Sequence, residues 1–326
     1  MHLISGIPDQ LADFARLTAT AVLDTWSAAG VLQQVPGDRG RFLPVAIRVL
    51  LSCPDRPALA RVRGMTPGFS GEVAEFYAKY RRGYPPPVVE ALRTAFALNA
   101  DDIVLDLGCG TGQLSLPLAS RVRSVIGMDP EPDMLRLAGE SAAGQGVRNV
   151  TWVLGGDSDV PAVGALVGRE SLAMAVIGQA LHWMRHEELF RTLAPLFRAG
   201  GGVAVVANGT PLWLQDCAWS QALRSCLEDH FGRRLEATCG TAAHDRRRYA
   251  EALRTAGFTN VRETVIDYGD ELSIDEIIGG VYSAIPAGKL PGQEDRPAFA
   301  ERIRRSLPSG PYLESVQVSV LVGRVT

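Results

Sequence analysis

Hydrophobic positions follow two different periods along this chain. Between residues 9 and 30, Leu11, Phe14, Leu17, Ala21, Val22 and Trp26 recur at helical spacing, while Asp9, Asp13, Arg16 and Asp24 fall on other faces. That spacing predicts an amphipathic helix. Residues 30–43, with Gly37-Asp38 in the middle, predict a hairpin. From residue 85 the pattern changes. Short apolar runs near 103–107, 123–128, 150–154, 172–177 and 202–207 alternate with segments of helical composition, among them a Pro-started helix to about 97 and segments over 131–144 and 187–199. Continuous apolar strands separated by helices predict an α/β fold, a parallel sheet covered on both faces. Later the pattern loosens. Helices are predicted over 215–231, 245–256, 273–285 and 294–306, and the alternating segments 261–267 and 316–322 predict two further strands as a hairpin.

Chemistry concentrates where the first apolar run ends: Val104-Leu105-Asp106-Leu107-Gly108-Cys109-Gly110-Thr111-Gly112. Seventeen residues on, Asp129 closes the next run, Val125-Ile126-Gly127-Met128. Glycines without a Cβ let a ligand approach the backbone at a strand-to-helix turn. A dinucleotide loop spaces them G-x-G-x-x-G to seat a pyrophosphate; here the spacing is G-x-G-x-G and position 113 is Gln113. A ligand with adenine and ribose but an amino-acid tail suits the loop better, with Asp129 accepting from the ribose hydroxyls.

These residues resemble the S-adenosylmethionine motif of class I methyltransferases. Three further segments carry the resemblance: Asp129-Pro130 with Met134-Leu135 after it, Gly155-Gly156-Asp157-Ser158 after a third strand, and Val73-Ala74-Glu75-Phe76-Tyr77-Ala78-Lys79-Tyr80-Arg81-Arg82-Gly83-Tyr84-Pro85 upstream. The last is similar to the segment that precedes the domain in type-11-like methyltransferases, which usually have Pro where this chain has Arg82. The resemblance implies a Rossmann-like seven-stranded sheet whose last two strands are antiparallel, and S-adenosylmethionine as cofactor with S-adenosylhomocysteine as product. It also implies a cofactor site drawn from Tyr77, Arg81, Asp106, Gly108, Gly110, Asp129, Pro130, Met134, Gly156, Asp157, Ser158 and Gln179. Each residue also has a local explanation: Asp129 as a helix cap, Asp157 as a turn residue, Phe76 and Tyr80 as the buried face of an amphipathic helix. The expected partition is an N-terminal extension over 1–64, helix plus hairpin, serving as a lid or in homodimerisation. A methyltransferase domain follows over 65–326, with helical insertions at about 208–258 and 268–313 forming an acceptor lid.

Composition narrows the partners. The chain has 326 residues, 46% hydrophobic and 21% charged, enough for a sizeable core, and a formal net charge of −3 argues against nucleic acid as the main partner. Lys79 and Lys289 are its only lysines, an arginine bias that resembles the coding habit of a GC-rich bacterium such as an actinomycete. Five cysteines without a C-x-x-C pair make a disulfide framework or zinc site unexpected, and no metal is called for. Met1–Gly6 lacks a basic leader and no apolar run reaches membrane-spanning length, so a cytoplasmic protein away from membranes is expected.

The fourth strand runs into Ile177-Gly178-Gln179-Ala180-Leu181-His182-Trp183-Met184, where class I enzymes place residues facing the methyl acceptor. His182 is the candidate general base, because its ordinary pKa lies near neutrality; the other reading is a His-Trp pair packed locally. Trp183, Trp213, Tyr268 and Tyr282 are candidate acceptor contacts, and Trp219 shares their region. Glu263, Asp267, Asp270, Glu271, Asp275 and Glu276 form an acidic run that would attract a cationic amine, although Ser273-Ile274-Asp275-Glu276 is also a capping box. The expected acceptor is a small natural product, an amine such as an amino sugar favoured over a phenol or carboxylate oxygen, in bacterial secondary metabolism like that of the aminoglycoside N-methyltransferases. A cofactor-sensing winged-helix regulator is the alternative from another class. Its recognition helix would carry Asp9, Asp13 and Asp24 against a single Arg16, the wrong charge for phosphate contacts. Nucleobase or glutamine methylation would call for an Asn-Pro-Pro-Tyr-type end to the fourth strand, which here reads Gly178-Gln179-Ala180-Leu181.

Overall fold

The computed structural model describes residues 68–236 and 240–326. The helix predicted over 9–30, the hairpin over 30–43 and the division at residue 64 lie outside the described residues.

Strands β1 (Ile103–Leu107), β2 (Ser124–Asp129), β3 (Val150–Leu154), β4 (Leu172–Gly178), β5 (Phe197–Asn208), β6 (Thr259–Leu272) and β7 (Tyr312–Arg324) form one seven-stranded sheet in the order β3-β2-β1-β4-β5-β7-β6. The first five are parallel, and β7 enters antiparallel between β5 and β6. This is the Rossmann-like sheet of class I methyltransferases that the sequence predicts. Successive strand residues point to opposite faces, so Val104 belongs to one core and Leu105 and Leu107 to the other. Helices α2 (Pro86–Phe96) and α3 (Ser115–Ala119) close the first face with Val88, Leu92, Phe96 and Leu118. On the other face lie α5 (Val160–Val167), α6 (His186–Leu193) and α8 (Ala243–Thr255), with Val163, Phe190, Leu193 and Leu253. Helix α4 (Pro132–Gly144) packs beside β2 and β3.

The remaining helices form a third layer. In α7 (Ala218–Phe231), α9 (Ile274–Tyr282) and α10 (Arg296–Ser306), Trp219, Leu223, Ile277, Ile278, Val281, Phe299 and Ile303 make a separate core, against which α1 (Glu72–Tyr80) sets Phe76. Asn208 at the end of β5 pairs with Val318, so β7 residues 312–317 and their partners in β6 project past the carboxyl edge of the parallel strands. The cap grows from that projection.

Two segments differ from the predicted pattern. The helical composition of 187–199 ends as a helix at Leu193; a tight turn over Ala194–Leu196 holds Pro195, which has no N–H to continue the ladder, and β5 starts at Phe197. Strands β6 and β7, 14 and 13 residues long, extend well beyond the alternating segments that announced them. No described helix is long and apolar enough to cross a membrane.

Candidate functional site

The glycine loop after β1 needs its glycines. Gly108, Gly110 and Gly112 have φ of 72°, 54° and 89°, the left-handed region that side chains disfavour. A Cβ on Gly108 would collide with that of Ala180 in the loop after β4, and one on Gly110 would lie 3.6 Å from the Tyr77 ring. Asp129 reaches across from β2: one carboxylate oxygen accepts from Gly110 N–H at 2.9 Å, the other from Glu131 N–H at 2.9 Å. A carboxylate offers about four lone-pair positions, so the side chain fits a ligand's hydroxyl pair while still fixing the loop. Burial pushes its pKa up to about 6. Asp106 is buried and accepts from the Ser115 hydroxyl at 2.5 Å, which ties β1 to α3; burial pushes it up to about 7.

The upstream segment arrives where the sequence predicts. Tyr77 on α1 covers Gly110, meets Phe69 edge-on at 5.9 Å, and carries the Arg81 guanidinium 5.5 Å above its ring. Its neighbours Ala74 and Ala78 pack with Met134 and Leu137 of α4, just beyond Pro130. Polar ties fix the first turn of α1 on two sides: Gly71 N–H donates to Asp133 at 2.7 Å, Glu75 pairs with Arg136, and Glu72 pairs with Arg296 of α10. One short helix thus joins the glycine loop to the cap.

The third-strand acid sits differently. Gly156 N–H donates to Asp159, and Asp157 accepts from Arg185 N–H at 2.9 Å, tying this loop to the start of α6. Asp157 and Ser158 line a recess of about 60 Å³ with Pro161, Arg185, Leu189 and Thr192. This arrangement suits Asp157 as a turn residue, with one carboxylate oxygen engaged across to the residue before α6.

Past β4, Gln179 has φ of 55°, unusual for a residue with a side chain. His182 lies against Trp183, ring centroids 4.8 Å apart, and beneath Gly240, where a Cβ would come within 2.7 Å of its own. Burial lowers its pKa and Asp245 of α8 opposes that shift. Trp183 is 56% exposed. Of the other aromatic candidates, Tyr268 is half-buried and its hydroxyl bonds the Asn208 side chain. Trp213 packs on the cap core with a buried indole N–H lacking a hydrogen-bond partner. Tyr282 is itself cap core, its hydroxyl donating to Arg296 O at 3.2 Å and its ring between Phe76 and Phe299. With Phe76, Tyr80, Ile278 and Arg296 it lines a cavity of about 300 Å³ between α1, α9 and α10.

The structure gives most of the acidic run ion-pair partners. Asp270 and Glu276 gather with Glu314 around Arg82, Asp275 pairs with Arg304, and Glu263 with Arg246. Glu276 completes the capping box with Ser273 at 2.7 Å and 3.2 Å. Arginines distant in sequence thus offset part of the charge of the run. Sequence reasoning missed Tyr84, whose hydroxyl would lie 2.8 Å from a Cβ on Gly178, and Trp152, whose ring fills the space above Gly127. Tyr84 closes the quoted segment at Pro85, and nothing in its spacing marks it.

Comparison with known proteins agrees with this geometry. Residues 104–201 match the model of a methyltransferase domain. The chain is similar to an uncharacterized methyltransferase of Schizosaccharomyces pombe, 24% identical over 259 residues and covering 78% of this chain and 93% of the relative. It is 32% identical over 146 residues to an uncharacterized methyltransferase of Mycobacterium tuberculosis, covering 45% of this chain and 54% of that one. A solved structure from Anaeromyxobacter dehalogenans, described as a candidate type II methyltransferase, has the same fold at a TM-score of 0.52 and 21% identity, over 75% of this chain and 98% of that one. The chain is a methyltransferase whose sheet has the fold of the class I enzymes. Its cofactor is S-adenosylmethionine.

Proposed function

We propose that the enzyme methylates a nucleophilic nitrogen or oxygen of a small molecule held beneath the helical cap, a reaction suited to bacterial secondary metabolism. The observation that carries this reading is the cap itself. It has its own buried core, springs from the carboxyl edge where ligands of parallel sheets bind, and is fastened to the glycine loop through α1. Such a roof admits a small acceptor and would shut out a duplex. The cofactor supplies a methyl group on a sulfonium. Holding an acceptor lone pair in line with that carbon provides most of the acceleration, and this chain's residues do the holding. Asp129 and the glycine loop fix the adenosyl end, Tyr77 with Arg81 covers it, and the cap positions the acceptor. Because His182 is kept neutral by burial, it is able to take the proton that the acceptor must lose.

An amine such as an amino sugar is slightly favoured over a phenol or carboxylate oxygen by the acidic run, part of whose charge Arg82, Arg246 and Arg304 offset. The test is labelled-methyl transfer across amino sugars, phenols and carboxylates, run beside calorimetry with S-adenosylhomocysteine. Product binding with transfer to a small acceptor is the expected result. Absence of product binding would overturn the reading, and transfer only to nucleic acid or protein would overturn the acceptor class.

A further inference from the structure

The end of β5 holds a polar atom that the fold leaves without a partner. Asn208, the last residue of that strand, is pinned through its backbone: it pairs with Val318 of β7, and its carbonyl accepts from the Gln179 side chain at 2.9 Å. Its side chain bonds the Tyr268 hydroxyl, yet the carboxamide oxygen Oδ1 is buried and has no hydrogen-bond partner. The amide nitrogen therefore makes the bond to Tyr268, and Oδ1 is turned away from it. Buried acceptors are nearly always paired. One left open at the carboxyl edge of a parallel sheet, where such sheets bind their ligands, marks a place that a donor on a ligand completes.

The neighbourhood puts this atom on the side of the methyl acceptor. Asp129 clasps the glycine loop from β2, and in the sheet β5 is the third strand along from β2, beyond β1 and β4. Tyr84 stands between the two places. Its hydroxyl lies against Gly178 at the end of β4, it feels the charges of Tyr77 and Asp106 on one side and of Tyr268 on the other, and both phenols pack on the same core. Charge then selects among donors. Glu314, largely buried, acts on the Tyr268 hydroxyl and shares Arg82 with Asp270 and Glu276. Three carboxylates around one guanidinium leave a negative balance beside an atom that only accepts. An amino group, which donates and carries positive charge when protonated, suits both features. A hydroxyl gains the hydrogen bond alone, and a carboxylate, which only accepts, is repelled.

We propose that Asn208 Oδ1 receives an N–H of an amino group on the methyl acceptor, with Tyr268 holding the carboxamide in the orientation that selects amines. The proposal rests on the small-acceptor reading above and adds to it the residue that chooses the acceptor's chemical class.

The experiment saturates the full chain with S-adenosylhomocysteine and titrates matched probes by calorimetry: glucosamine against glucose, and benzylamine against benzyl alcohol and benzoate. Expected is that at least one amine binds roughly tenfold or more tighter than its hydroxyl counterpart, with benzoate the weakest. Asn208→Leu should erase that preference and leave the affinity for S-adenosylhomocysteine unchanged. Asn208→Asp, which keeps an oxygen at that position, should restore it, and Tyr268→Phe, which frees the carboxamide to turn its nitrogen inward, should move the preference toward benzoate. Tighter binding of benzoate than of benzylamine by the wild type would mean that the carboxamide is reversed, and overturns the proposal. So does an amine preference that survives Asn208→Leu, a loss of S-adenosylhomocysteine affinity in that variant, or the binding of neither amine. Should S-adenosylhomocysteine itself fail to bind the wild-type chain, the cofactor reading falls, and methyl transfer confined to nucleic acid or protein would remove the small-acceptor reading; both results are distinct from those above.

Discussion

The parallel half of the sheet and the antiparallel half with its cap were built under different constraints. Strands β1, β2 and β4 are buried almost throughout, with helices on both faces, so nearly every position is apolar and the run itself marks the strand. The edge strand β6 is exposed along most of its 14 residues. It carries Arg262, Glu263, Asp267 and Asp270, the charged edge that discourages pairing with another chain. The first half holds the glycine loop and Asp129; the second carries the cap. What identifies the chemistry is therefore written in local sequence, and what builds the cap is written in contacts between distant segments.

The largest expected effect tests whether cofactor affinity belongs to the parallel half. Asp129→Ala removes the loop clasp and, with it, the carboxylate proposed to accept from the ribose. With hydrogen bonds to charged groups worth about 1.5–3 kcal/mol each, affinity for S-adenosylhomocysteine should fall by roughly a hundredfold or more, and the thermal shift it produces should vanish. A variant that still bound within tenfold of wild type would place the adenosyl end elsewhere.

The next test strikes the cap. Gly279 on α9 lies flat against the Tyr80 ring, so that any Cβ would collide with it. Gly279→Val overpacks the α1–α9 contact at a cost of about 1–3 kcal/mol. It should lower the melting temperature and open the cap to limited proteolysis while product affinity drops less than for Asp129→Ala. If it abolished product binding, α1 would couple the two halves more tightly than the ties through Glu72 and Glu75 imply.

How much of this was legible in the sequence follows the same division. The glycine loop and Asp129 were legible because each closes an apolar run, whereas Met134 and Tyr77 were marked by the resemblance of their segments to those of class I methyltransferases. Strand ends β1 to β4 fell close to prediction for the same reason. The pairing of Arg82 with Asp270 and Glu314 spans nearly the whole domain, and no local period encodes it. Tyr282 illustrates the converse: its helical spacing was plain, but only Phe76 from α1 and Phe299 from α10 reveal that the ring is core. Asp157 is marked by the strand that precedes it, whereas its hydrogen bond from Arg185 N–H, after β4, is written nowhere near it in sequence.

Proton uptake gives a smaller, continuous probe of the parallel half. Burial raises Asp106 to about 7 and Asp129 to about 6, above the usual 3.8. Between pH 4 and these values the native chain keeps protons that the unfolded chain has released. Stability from these groups is thus greatest at low pH and is lost as pH rises, at up to about 1.4 kcal/mol per unit for each group, levelling off above about 7. Asp106→Asn keeps the shape and cannot ionise. Urea unfolding at pH 5 and pH 8 should show it gaining on the wild type at the higher pH, and an equal difference at both would mean that Asp106 does not titrate in this window. Product affinity should move oppositely, rising from pH 5 to 7 as Asp129 ionises and becomes a better acceptor for ribose hydroxyls.

The smallest effect is the most local. Ser273 caps α9 by accepting from Glu276 N–H at 3.2 Å, and Glu276 returns the bond to Ser273 N–H at 2.7 Å. Ser273→Ala removes one side of that exchange, worth about 1 kcal/mol. The loss should appear as faster hydrogen exchange in α9 and its neighbours α1 and α10, with β1, β2 and β4 unchanged, because the cap has its own core and can loosen without the sheet. Exchange that rose equally in the parallel strands would show that cap and sheet open as one unit, and the two halves would then differ in sequence legibility but not in stability.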